Sequence, residues 1–135
     1  MASVTNKDFH SPQKLGNCLV LATLVVIAGH AAGSIWLYRA TDWFDNLLHF
    51  AGGAWLALAV IFFFRGEISS LKTFLIVFGA ALIWEIFEAG LNLYAKNAYG
   101  FATPVGGATG DTILDIILGI LGTLITLSYI KTKKQ

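Results

Sequence analysis

Three pairs of residues in this 135-residue chain have the types and spacing to do chemistry. Asp45 and His49 stand four apart, Glu85 and Glu88 three apart, and Asp111 and Asp115 four apart. On a helix each of these spacings puts both side chains on one face. Carboxylates gathered around an imidazole can hold a divalent cation, and a carboxylate left free beside it can take or give a proton. Oxygen-rich ligation with one or two imidazoles suits Zn, Fe, Mn or Mg and disfavours cuprous copper, which takes sulfur. The candidate metal ligands are therefore His49, Glu85, Glu88, Asp115, Asp111 and Asp45, with Glu85 and Glu88 the candidates for direct catalytic work.

The elements that must position these pairs are apolar. The chain is 56% hydrophobic and 13% charged, with a mean hydropathy of +0.71, whereas a soluble domain is about 25% charged. The reading is an all-α integral membrane bundle of four transmembrane helices in a single domain. The spans fall at about 15–37, 46–64, 72–94 and 112–130, each near the roughly 20 residues that cross a bilayer. Four spans put both termini on one side, together with Lys7, Lys14, Arg65, Lys72, Lys131, Lys133 and Lys134, while Arg39 and Lys96 fall on the other. Basic residues favour the cytoplasmic face, so both termini are expected in the cytoplasm. A cleaved secretory leader is not expected, because Lys7, Asp8 and His10 precede a span-length apolar run with no small-residue cleavage site after it.

That topology sorts the acids. Asp42, Asp45, Glu85, Glu88, Asp111 and Asp115 all fall toward the outer side, against the two bases Arg39 and Lys96. Counting along the helices, Glu85 and Glu88 lie about 14 and 9 Å below the outer end of their span, and His49 and Asp115 about 5 to 6 Å below theirs. Ionisable groups at such depth cost at least a few kcal/mol and mark a functional site by default. Their charge must be met by protons or by a bound cation. Small residues (Gly33, Ser34, Gly52, Gly53, Ala81, Gly119, Gly122) lie along the same faces, where they let helix backbones approach closely.

Each residue also has a plainer reading. Glu85 and Glu88 can form a hydrogen-bonded network with Asn92 or Thr112. Asp45 can orient His49 instead of binding metal. Asp111 can cap the fourth helix, and Asp42 can cap the second. For His30 interior packing is preferred to ligation. Trp36, Tyr38 and the other Trp residues suit an interfacial belt and packing. The loop at 95–110 reads as a connection, a lid or a re-entrant segment, and its glycines lack the Lys of a phosphate-binding loop. A single Cys18 rules out an internal disulfide framework, and a net charge of +1 without a dense basic cluster argues against nucleic acid.

The ordered motifs Phe44-Asp45-x-x-x-His49-Phe50, Trp84-Glu85-x-x-Glu88 and Gly110-Asp111-Thr112-x-x-Asp115, followed by Gly119 and Gly122, resemble the YjdF-type family of small bacterial inner-membrane proteins and, more distantly, VanZ-like membrane proteins. The resemblance covers roughly Asp42 to Thr126 and includes Asp45, His49, Glu85, Glu88, Asp111 and Asp115, but not His30. The chain is shorter than the longer members. The resemblance implies a multi-pass protein of the cytoplasmic membrane. Through the association of VanZ-like proteins with resistance to teicoplanin-type antibiotics, it also points to envelope lipids or wall precursors. The first expectation is thus a metal-dependent membrane hydrolase acting on a lipid or lipid-linked envelope substrate. A cation or proton conduit is the second, and a non-catalytic protein with a structural metal or acid cluster the third. Little core is available to one short bundle, so a homo-oligomer fits any of them.

Overall fold

Inside hydrocarbon every backbone N–H and C=O must find a partner within the chain, and an unbroken apolar run meets that demand as a helix. The computed structural model describes residues 12–41, 43–99 and 109–132. Helix α1 spans Pro12–Ala32 and continues through a π-helical turn, Gly33–Leu37, into a last α turn at Tyr38–Ala40. Helices α2, α3 and α4 span Phe44–Phe63, Ser70–Tyr99 and Thr109–Thr132. The fold is all-helical, and four helices, covering residues 12–37, 44–63, 70–91 and 110–131, are long and apolar enough to cross a membrane.

Helix α3 runs past the expected end near Tyr94, because Ala95 to Tyr99 contain neither Gly nor Pro to stop it. The expected loop is therefore helical at its first five residues. Its remainder up to residue 108 lies outside the described residues, as does Asp42 with its expected capping role.

Two short signals turn the chain between α2 and α3. Arg65 and Gly66 both have positive φ, 52° and 73°. The Arg65 N–H donates to the Phe62 carbonyl and the Gly66 N–H to the Ile61 carbonyl, the paired bonds that close a helix C-terminus. Ser69 then opens α3, its Oγ accepting from the Lys72 N–H at 3.3 Å.

Helix α2 is the hub. It packs on α4, α1 and α3; α4 also packs on α3, and α1 and α3 make little contact with each other. The α2–α4 seam is the tightest. A Cβ placed at Gly53 would run into the Gly119 carbonyl, and one at Gly122 into the Phe50 carbonyl. Without a hydrophobic drive between helices in lipid, such close approach supplies dispersion contacts and short polar contacts instead. Buried Thr123 adds one, its hydroxyl donating to Gly119 O at 2.8 Å and lying 3.3 Å from Gly53 O. The apolar core sits toward the far end of the same seam, with Leu15, Ile61 and Ile130 in one cluster and Ala57, Val60 and Val77 in another.

Candidate metal centre

His49 lies in the second turn of the hub helix, one turn after Asp45. The tight glycine seam carries Asp115 of α4 up to it, and α3 brings Glu85 and Glu88 from the other side. The imidazole has a carboxylate set at each nitrogen. Nε2 lies 3.8 Å from Asp45 Oδ2 and 3.8 Å from Asp115 Oδ1, while Nδ1 lies 3.7 Å from Glu85 Oε1. Two groups of three donor atoms gather within 4.8 Å of one another, Asp45–His49–Asp115 and His49–Glu85–Glu88.

These separations are too long for good hydrogen bonds and close to what a metal needs. Donors about 2.1 Å from a tetrahedral ion stand roughly 3.4 Å apart, so the contacts of His49 with Asp45, Asp115 and Glu85, at 3.7 to 3.8 Å, are a few tenths of an ångström from that spacing. Asp115 is 1% exposed. Its Oδ1, the oxygen facing His49, has no hydrogen-bond partner among the described residues, and neither does the buried Oε1 of Glu88. An orphaned, buried carboxylate oxygen is costly, and a bound cation removes that cost. The other glutamate contacts are conventional: the Thr112 side chain hydrogen-bonds to Glu85, and the Trp84 side chain to Glu88.

Asp111 stands outside both donor groups. It is the third residue of α4, inside the first turn and not before it. There a carboxylate is favoured by the exposed N–H groups of the helix end, and it adds negative potential near the site.

A second layer comes from α1. In an ideal α-helix, residues eight apart sit about 80° around the axis from each other. The wider turn at Gly33–Leu37 absorbs much of that drift, so that Tyr38 Oη meets His30 Nδ1 at 2.8 Å. The Tyr38 ring packs where a Cβ on Gly33 would be. His30 in turn sets its ring against Trp84, with centroids 5.9 Å apart. Tyr38 thus faces the bundle, not the interfacial belt. Burial, with Asp45 and Glu88 nearby, pushes its phenol up to about 12. Trp36 and Trp43 do lie on the surface, exposed by 65% and 60%.

A family model of predicted membrane proteins, DUF2238, matches residues 5–134. The chain belongs to the DUF2238 family. No curated protein and no solved structure matches it.

Within this DUF2238 chain the sequence pattern marked five residues that the fold gathers around one imidazole: Asp45, His49, Glu85, Glu88 and Asp115. It missed the inward role of Tyr38, whose only available signal was Gly33 five residues earlier. The Trp84–Glu88 contact was visible as an i,i+4 spacing of a donor and a carboxylate.

Proposed function

We propose that this protein is a membrane metalloprotein whose divalent cation is held by His49 Nε2, Asp45 and Asp115, and that it acts on a lipid or lipid-linked substrate at the level of the headgroups. The observation that carries the reading is the buried, unpartnered Asp115 Oδ1 facing His49 Nε2 at 3.8 Å. A divalent cation bound there supplies Lewis-acid polarisation of a phosphoryl or acyl oxygen, or an activated water. The chain supplies the rest. Glu85, facing Nδ1 at 3.7 Å, would accept the second ring N–H on closing to hydrogen-bond distance and so fix the tautomer of His49. Glu88 has a buried oxygen, Oε1, with no hydrogen-bond partner among the described residues, which suits a general base. Asp111 raises the negative potential that draws the cation in.

The surplus of basic residues on the side of both termini supports placing those termini in the cytoplasm and the site in the outer half of a bacterial inner membrane. The likeness to YjdF-type and VanZ-like proteins supports an envelope substrate. Apolar walls on the inner side of the site give a conduit no support.

The test is metal content of detergent-purified protein beside Asp115→Asn and Glu88→Gln. About one equivalent of divalent metal is expected in the wild type, lost in Asp115→Asn and kept in Glu88→Gln. Absence of metal from all three, with no change in thermal stability on adding Zn, Mn or Mg, would overturn the reading.

A further inference from the structure

Beside the carboxylate site the bundle holds a cavity of about 240 Å³. It runs along the hub helix from His49 to Leu56 and along α3 from Trp84 to Val77, about 10 Å in each case. Its two ends differ in chemistry. His30, His49 and Asp115 line one end; Val26, Leu56 and Val77 line the other. Trp55 is apolar toward the cavity because its indole N–H is already given to Thr23 Oγ1 at 2.8 Å. The floor lies about 18 Å from the start of α2, near the middle of a hydrocarbon core about 30 Å thick.

The wall between α1 and α3 is the weak one. Both helices pack on the hub and make little contact with each other, apart from the ring contact of His30 and Trp84 at the polar end. Both also carry large exposed apolar side chains, Leu24 and Ile27 on α1 and Leu82 and Ile83 on α3, as the outer surface of a bundle in lipid would. An apolar chamber at bilayer depth, reached from the bilayer and polar only at its headgroup end, selects an amphipathic occupant with a hydrocarbon tail.

We propose that this cavity takes one acyl tail of a membrane glycerophospholipid, entering between α1 and α3, and so sets the headgroup end of that lipid against His30, His49 and Asp115. The tail site stands on the cavity itself; only the placing of the headgroup rests on the metal-site reading. Gly52 lines the chamber, and a Cβ there meets nothing within 4 Å, so a larger side chain fills the space without touching the packing seam. Ala81 lines it from α3.

The experiment uses protein carrying Trp36→Phe, Trp43→Phe and Trp84→Phe, since all three indoles are exposed on the bundle surface, which leaves Trp55 as the reporter. It is reconstituted in phosphatidylcholine vesicles with dioleoyl chains or with 9,10-dibromostearoyl chains. Brominated chains are expected to quench the emission at least twofold. Adding Gly52→Leu or, separately, Ala81→Leu is expected to remove half or more of that quenching, with the helical circular-dichroism spectrum unchanged. Quenching that neither substitution alters would overturn the proposal, since the Trp55 indole would then meet only lipid around the bundle. Metal content measured on the parent protein separates the two readings. Metal without substitution-sensitive quenching sinks the tail site alone, and substitution-sensitive quenching without metal sinks the metal site alone.

Discussion

A neutral imidazole has one lone pair to give and one N–H to donate, yet His49 has carboxylates at both nitrogens. The two sides must therefore differ in role, and on the proposed reading the buried Asp115 side would take the cation and the Glu85 side the proton. Glu85→Gln keeps a hydrogen-bond acceptor but loses the charge that makes His49 a stronger ligand. It is expected to weaken metal affinity about 10- to 100-fold, measured by competition with a chelating dye, while Asp115→Asn abolishes binding. Equal losses in both variants would assign Glu85 to the metal as well. Tyr38 gives a second residue-scale outcome. Its phenol titrates near 12 in the fold and near 10 when unfolded, so between those values the folded state holds the extra proton. Its contribution to stability is complete below pH 10 and is lost as pH rises toward 12. The 295 nm difference titration between wild type and Tyr38→Phe is expected to be centred near 12; a midpoint near 10 would mean that Tyr38 faces solvent.

At the scale of elements, the site depends on how closely two helices approach. Gly53, Gly119 and Gly122 let α2 and α4 meet with backbone against backbone, and Asp115 reaches His49 because α4 sits so near. The obstacle to a side chain at Gly122 is the Phe50 carbonyl, which cannot swing aside as a flexible side chain would. Gly122→Val is therefore expected to cost at least about 2 kcal/mol and to lower metal occupancy with it, read as a lower midpoint in a detergent unfolding titration. Gly52→Ala, one position from Gly53 but facing open space, is the control and is expected to leave the midpoint unchanged. The π turn of α1 works by rotation: it turns Tyr38 onto His30 and so ties α1 to the site that α2, α3 and α4 build.

At the scale of the whole molecule, four span-length helices, each crossing once, would return the chain to the side from which it began, and the bases would gather on that side. Reporters that fluoresce only in the cytoplasm, fused at either end, are expected to be bright at both ends. A dark reporter at both ends would invert the site toward the cytoplasm. One bright and one dark would remove a span. Much of this was legible in the sequence. Length and hydropathy determined the number and kind of helices, because hydrocarbon leaves a spanning backbone no other way to satisfy its polar groups. The period of the helix determined which acids share a face, and so which could meet. Sequence could not decide that Asp115 and Glu85 approach opposite nitrogens of one imidazole, that Asp111 stays at its helix end, or that Tyr38 turns inward. Those outcomes depend on the rotation and separation of neighbouring helices, which are set by the contact of Gly53 with Gly119, of Gly122 with Phe50, and by one widened turn. Such contacts join residues far apart in the chain, and only the tertiary structure brings them together.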